Sequence, residues 1–244
     1  MSDLTNLSGK TALVTGASRG IGKGIALALG EMGINVAVNY RSSKKEAEDV
    51  AAQIRESGVE SVAIQADVSV SEDVKELIDK TVESLGEISI LVNNAAIGKV
   101  RSFEDITEED WNETIHANLT SVFLVTQAVL PIMRQHKWGR IINLSSAAAF
   151  TGGLVGPHYT ASKAGINGLT RYYAARLAKS GITVNAIAPA LIETDMVKKA
   201  NLDPAILPVG RFGKLEEVSS VVELLLKNGF MTGQVLNPNG GLHI

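Results

Sequence analysis

The sequence predicts a doubly wound α/β domain: a parallel sheet of about seven strands with helices on both faces. Three observations carry that prediction. Short apolar runs of strand length alternate with amphipathic stretches of helix length along the chain, the pattern of consecutive β-α-β units. A glycine-rich turn joins the first apolar run directly to the first helical stretch. The connections are mostly short, and no linker, repeat or low-complexity tract divides the sequence, so residues 1–244 read as one domain.

In order, Lys10 to Thr15 is a short buried strand, followed by the glycine turn and a helix to about Glu31. Ile34 to Tyr40 is the second strand. Ala47, Val50, Ala51 and Ile54 then fall at i, i+3, i+4 and i+7 of one helix face. Ser61 to Ala66 is the third strand, and Val74, Leu77, Ile78, Val82 and Leu85 repeat the helical stripe. Ile88 to Asn93 is the fourth strand, and Trp111 to about Gln135 a long helix. Arg140 to Leu144, a helix from Tyr159 to Lys179, and Thr183 to Ala188 follow. Leu215 to Lys227 reads as a further helix and Val235 to Asn237 as a last strand. The one long irregular stretch, Pro189 to Gly213, has the length of a functional loop.

Composition narrows the chemistry. The chain has no cysteine, which excludes disulfides, thiolate zinc sites, iron–sulfur ligation and a Cys nucleophile. No His/Asp/Glu group has metal-ligand spacing, so no metal is expected. No apolar run reaches the ~20 residues of a membrane span, and the first ten residues lack the basic and apolar regions of a signal peptide; a cytoplasmic protein without membrane contact is expected. Net charge is −3, but residues 1–122 carry −9 and residues 123–244 carry +6. The basic residues are dispersed with few aromatics among them, which argues against nucleic acid.

The first strand ends in Thr15-Gly16-Ala17-Ser18-Arg19-Gly20-Ile21-Gly22. Gly16, Gly20 and Gly22 allow a tight turn and close backbone approach, and the helix N-terminus offers free N–H groups to a pyrophosphate. After the second strand an acidic residue would bind an adenosine ribose hydroxyl. Here the sequence has Asn39-Tyr40-Arg41, with Arg19 in the glycine loop. Two guanidiniums suit a ribose 2′-phosphate, so NADP(H) is the expected cofactor.

Tyr159 and Lys163 stand at i and i+4, on one helix face. A neighbouring ammonium favours the phenolate and lowers a tyrosine pKa, so such a pair can move a proton to or from a carbinol oxygen.

With these motifs in sequence, the chain resembles the short-chain dehydrogenase/reductase family over essentially its whole length. The carriers of the resemblance are TGASRGIG, Asn93-Asn94-Ala95-Ala96 after strand 4, Asn118 in a helix, Ser146 thirteen residues before Tyr159, and Tyr159 with Lys163. Within the family it is most similar to the 3-oxoacyl-[acyl-carrier-protein] reductases, through Ile192 to Met196, Gly210 to Gly213 and Thr232 to Leu236 before Gly240-Gly241. The resemblance implies that Tyr159 is the general acid, Ser146 binds the substrate carbonyl, Lys163 holds the nicotinamide ribose, and Asn118 holds a water relaying protons to Lys163. It implies cofactor contacts from Gly16, Ser18, Arg19, Gly20, Ile21, Gly22, Arg41, Asp67, Val68, Asn94, Ala95, Tyr159, Lys163, Pro189, Ile192 and Thr194. It also implies a homotetramer whose helices around 111–135 and 159–179 pair between subunits. The apolar positions Ala117, Leu119, Val122, Phe123, Val125 and Ala128 fit such a face or an intrachain core equally.

The sequence departs from the family pattern at Ala96 and Ala190, where glycine is usual, at Asn239, where aspartate is common, and in a short Asp195–Gly210 loop. If position 190 needs a positive φ, alanine there costs ~1 kcal/mol. A serine hydrolase lacks support, since no G-x-S-x-G elbow exists. A non-catalytic dinucleotide-binding protein would be expected to lose Tyr159 or Lys163. Other small carbonyls or alcohols, such as an acetoacetyl thioester, a sugar or a cyclic ketone, remain alternative substrates. Met32, Met133, Met196 and Met231 read as packing, and His158 as a neighbour of Tyr159. Basic residues Arg134, Lys137, Arg140, Arg171, Arg176 and Lys179 are expected to make one face near the cleft basic, suited to an acidic acyl carrier protein.

Overall fold

The computed structural model describes residues 6–195, 197 and 202–243. Its strands are β1 (Thr11–Val14), β2 (Asn35–Tyr40), β3 (Ser61–Gln65), β4 (Ile88–Asn93), β5 (Gly139–Leu144), β6 (Ile182–Ile187) and β7 (Val235–Leu236). They form one sheet in the order β3-β2-β1-β4-β5-β6-β7, and every pairing is parallel. The central strands are buried throughout because helices cover both faces, which is why they read as unbroken apolar runs.

Among the described residues, the α-helices that connect and cover the strands are α1 (Gly20–Glu31), α2 (Lys44–Glu56), α3 (Ser71–Leu85), α4 (Glu108–Ile115), α5 (Ser121–Gln135), α6 (Ala148–Thr151), α7 (Pro157–Leu177) and α8 (Leu215–Lys227). One core joins the sheet to α1, α2 and α8 through Ile25, Leu29, Val50, Ile54, Val218 and Leu225. The second joins it to α3, α5 and α7 through Leu77, Val125, Val129, Met133, Tyr173 and Leu177. The strand order reverses between β1 and β4. That switch point opens a crevice at the carboxyl edge of the sheet, where such folds place their ligands.

Several boundaries differ from the sequence expectation. The long helix begins at Glu108, because Thr107 caps it by accepting the Asp110 N–H at 3.1 Å, and Glu108, Glu109 and Asp110 complement its N-terminal dipole. It is interrupted by a π turn at His116–Thr120, where the Ser121 N–H reaches back five residues to the His116 carbonyl. The run Glu108–Gln135 is long and apolar enough to cross a membrane by composition; here it lies on the sheet with Val122, Val125, Val129 and Met133 buried. The Tyr159 helix begins two residues early, at Pro157, whose fixed φ suits the first helical position. Among the described residues only Lys137 has a positive φ without being glycine, so Ala190 carries no such strain. Met196 lies outside the described residues, as does part of the Asp195–Gly210 loop.

Candidate active site

The glycine loop is held by residues far from it in sequence. Gly16 and Gly20 have φ of 61° and 57°, a region that L side chains avoid. A Cβ on Gly16 would lie 2.8 Å from Ala95 Cα, and one on Gly22 would press against Asn94 Nδ2 and lie 2.6 Å from the Gly16 carbonyl oxygen. The loops after β1 and β4 therefore touch at the switch point. Thr15 cements them: its hydroxyl oxygen accepts the N–H groups of Asn94 and Ala95, each at 3.0 Å. Asn94 Nδ2 returns bonds to the carbonyls of Thr15 and Gly16. Asn39, fully buried, accepts the Gly16 N–H at 3.1 Å and donates to the Ala66 carbonyl at 3.1 Å. It fixes the loop to the ends of β2 and β3, a role the sequence reading missed.

Arg19 is the N-cap of α1 in extended conformation, and no side chain caps this helix. Its first N–H groups, with half-buried Ser18 and Ile21 beside them, form a cradle that no side chain among the described residues caps, which fits a pyrophosphate. Thr194 comes from the loop after β6 and sits 3.7 Å from where a Gly20 Cβ would be. Pro189 and Ile192 of the same loop are buried. The loop is anchored at Ile192, which pairs with Gly213, and at Glu193, whose N–H reaches the Gly213 carbonyl at 2.8 Å.

Beyond the ends of β2 and β3, Arg41, Gln65, Asp67, Asp73, Glu76 and Lys80 line an open depression. Arg41 lies 3.8 Å from Asp67, so the carboxylate absent from β2 arrives from β3. Burial acts against the charge on Asp67, but hydrogen bonds from Ser69 and the nearby Arg41 outweigh it and hold the carboxyl below its ordinary value. Val68 is buried next to it.

Tyr159, Ser146 and Lys163 converge at the carboxyl ends of β5 and β6. Ser146 follows β5 and accepts the Ala148 N–H at 3.1 Å. Lys163 is buried, and its Nζ donates to the Leu144 carbonyl at 2.8 Å. Removal from water draws its pKa down to about 8. The Nζ lies 5.6 Å from the Tyr159 ring centre. The expectation that Lys163 lowers the Tyr159 pKa is corrected here. Burial raises it, and only the Ser146 hydroxyl beside it works in the other direction. The ammonium is committed to the Leu144 carbonyl, from a position one helical turn along from Tyr159.

Asn118 is fully buried in the π turn. Its Oδ1 accepts the Ile97 N–H at 2.8 Å, and its Nδ2 donates to the Ile97 carbonyl at 2.9 Å and to Ser162 Oγ at 3.2 Å. The side chain thus ties the loop after β4 to the helix of Tyr159 and Lys163. Ser162 passes the link on by donating to the Tyr159 carbonyl at 2.7 Å.

The basic face expected near the cleft is not there. Arg134 is in the last turn of α5 with Lys137 just before β5, and Arg171 and Arg176 are in the C-terminal half of α7 with Lys179 just before β6. Both places are at the amino edge of the strands, opposite Ser146 and Tyr159. Arg140 is buried: its guanidinium stacks 4.4 Å from the Trp138 ring centre and donates to the Leu226 carbonyl. Strand direction, invisible in residue spacing, decides this. The helix face split similarly: Val122 and Val125 are intrachain core, whereas Phe123 is 44% exposed.

Residues 10–205 match the family model described as short chain dehydrogenase. The chain is 43% identical over 244 residues to a 3-oxoacyl-[acyl-carrier-protein] reductase of Synechocystis sp., covering 98% of this chain and 99% of the relative. It is 44% identical over 242 residues to a 3-oxoacyl-[acyl-carrier-protein] reductase of Staphylococcus epidermidis, covering 96% and 99%. A crystal structure described as a short-chain alcohol dehydrogenase from Sinorhizobium meliloti superposes with a TM-score of 0.91 at 35% identity, covering 98% of each chain.

Proposed function

The chain belongs to the short-chain dehydrogenase family and is an oxidoreductase acting on a carbonyl or its alcohol, and we propose that it reduces 3-oxoacyl groups, carried as thioesters on an acyl carrier protein, with NADPH. The observation that carries this reading is the meeting of Ser146, Tyr159 and buried Lys163 beside a glycine loop with an uncapped helix N-terminus. The full-length likeness to reductases named for that substrate supports the choice among carbonyls.

Bound nicotinamide would supply the hydride; the chain's residues do the rest. The uncapped α1 N-terminus, Gly20 to Gly22 and Thr194 would hold the pyrophosphate, and Arg19 and Arg41 the 2′-phosphate. Arg41 would exchange its pairing with Asp67 for that phosphate. Lys163, one turn from Tyr159, would turn from the Leu144 carbonyl toward the nicotinamide ribose, bringing its charge to bear on the phenol. Ser146 and Tyr159 would donate hydrogen bonds to the substrate carbonyl, which strengthen as negative charge develops on oxygen. Tyr159 Oη would then protonate the alkoxide. Asn118, holding Ile97 and Ser162, would keep the proton route to Lys163 in place.

The same reading places the enzyme in the cytoplasm as a homotetramer. Two separate apolar surfaces support that assembly: Trp111, Phe123 and Tyr172 on α4, α5 and α7, 41–53% exposed, and Leu224 with Phe230 beside α8. Two distinct self-complementary patches are what a dihedral tetramer needs. The test is a rate comparison of a carrier-linked 3-oxoacyl thioester, a sugar and a cyclic ketone, each with NADPH and NADH. The thioester with NADPH is expected to be fastest; a faster sugar or cyclic ketone would overturn the substrate assignment.

A further inference from the structure

The segment after β4 runs along the cleft and is pinned at every second residue. Ala95 is held by Thr15, Ile97 by Asn118, Lys99 through its carbonyl by His158 Nε2 at 3.1 Å, and Arg101 through its N–H by the Val155 carbonyl at 2.9 Å. The intervening Ala96 and Val100 are exposed and Gly98 is half-buried, so the pinning hydrogen bonds, rather than burial, fix the path of the segment. The outer half of this rail depends on a single carboxylate. Asp110, in the first turn of α4, is buried, and its two oxygens bind the two rail cations: Oδ1 to Lys99 Nζ at 2.9 Å and Oδ2 to Arg101 Nε at 2.7 Å.

We propose that Asp110 is a positioning residue: it clamps the rail from Ile97 to Arg101 along the cleft and, through that rail, steadies the start of the helix that carries Tyr159. This deepens the reductase reading and rests on it. Asp110 touches none of Ser146, Tyr159 and Lys163, so it acts only through what it holds. The second link is His158, adjacent to Tyr159 and fully buried. Its partner carbonyl requires the proton on Nε2, and its Nδ1 meets no hydrogen-bond partner among the described residues. His158 therefore gains its one polar bond from the rail and loses it if the rail shifts, leaving a dry imidazole without any partner. Gly156 fits the same joint, since a Cβ there would lie 2.8 Å from both the Arg101 carbonyl oxygen and His158 Cε1. Bonds to Lys99 and Arg101 hold the Asp110 carboxyl well down, at about 2, so the clamp stays charged at working pH. Glu113 also stands 4.0 Å from Lys99, a longer contact than the 2.9 Å that Asp110 makes.

The experiment compares D110N, D110E, R101Q and the double variant D110N/R101Q. Steady-state kcat and KM are read with a 3-oxoacyl thioester and with whichever small ketone the wild type also reduces, together with NADPH affinity and Tm. D110N is expected to lower kcat/KM roughly 10-fold, the scale of a small misplacement of substrate or acid, with NADPH affinity within about twofold. D110E should recover most of the loss. The double variant should be no worse than D110N alone, because the two residues act as one unit. Wild-type kcat and KM in D110N well below its Tm would overturn the proposal, as would losses that multiply in the double variant. Should D110N fail to fold, R101Q alone must show the same selective loss. A wild type inactive on every 3-oxoacyl thioester would defeat the substrate assignment, while the small ketone still reads the role of Asp110.

Discussion

The loop after β1 and the rail after β4 lie side by side at the switch point, yet they are built by different means. The glycine loop carries its own backbone signal, although Asn39 and Asn94 also hold it from outside: positive φ at Gly16 and Gly20, and absent Cβ atoms at Gly16 and Gly22 where Ala95, Asn94 and the Gly16 carbonyl approach. The rail has no such local grammar. Thr15, Asn118, His158, Asp110 and Val155, drawn from three regions of the chain, hold it in position. A locally encoded loop can be recognised from a motif, whereas one held from outside is recognised only by finding what holds it.

Replacing Tyr159 with Phe probes what both loops serve. Turnover is expected to fall at least ~100-fold, the scale of lost general acid catalysis, while NADPH affinity measured by fluorescence titration stays near wild type. Near-normal turnover would remove Tyr159 from the mechanism.

Breaking the local grammar should cost binding. Gly22→Ala forces a methyl against the Gly16 carbonyl and Asn94 Nδ2, an overpacking of about 1–3 kcal/mol. NADPH affinity should weaken by roughly 10-fold or more, and Tm should drop by ~2–4 °C for each kcal/mol. If affinity and Tm both hold, the glycine is not required by this contact. Arg41→Asp probes the same loop's far end more gently. The ratio of kcat/KM with NADPH to that with NADH should fall by about 10-fold, since the new carboxylate repels a 2′-phosphate and suits a ribose hydroxyl. An unchanged ratio would make Arg41 only a partner of Asp67.

The smallest expected effect is on stability. Lys163 binds its proton less tightly folded than unfolded, with a folded pKa of about 8 against an ordinary 10.5. Between those values the unfolded chain holds more protons, so stability contributed by this position rises as pH rises through about 8. Lys163→Met lacks that gain. The difference in Tm, wild type minus variant, should therefore grow by a few degrees from pH 7 to pH 10. A flat or falling difference in calorimetry would mean that burial does not depress this lysine.

From the sequence alone came the alternation of strands and helices, the position of the glycine loop, and Tyr159 with Lys163 on one helix face, because backbone preference and periodicity act over a few residues. Capping by Thr107 before Glu108 and the Gly156-Pro157 start of α7 were equally legible signals, though the sequence reading began both helices too late. Tertiary structure alone decided the rest. It set Asp67 against Arg41, committed Lys163 to the Leu144 carbonyl, buried Arg140 beneath Trp138, and moved the basic residues to the far edge of the sheet. It also gathered Asp110, Lys99, Arg101 and His158 into one clamp. Charge and hydrogen-bond partners are chosen by which chain segments fold next to each other, and a parallel sheet brings together residues dozens of positions apart whose spacing carries no trace of the meeting.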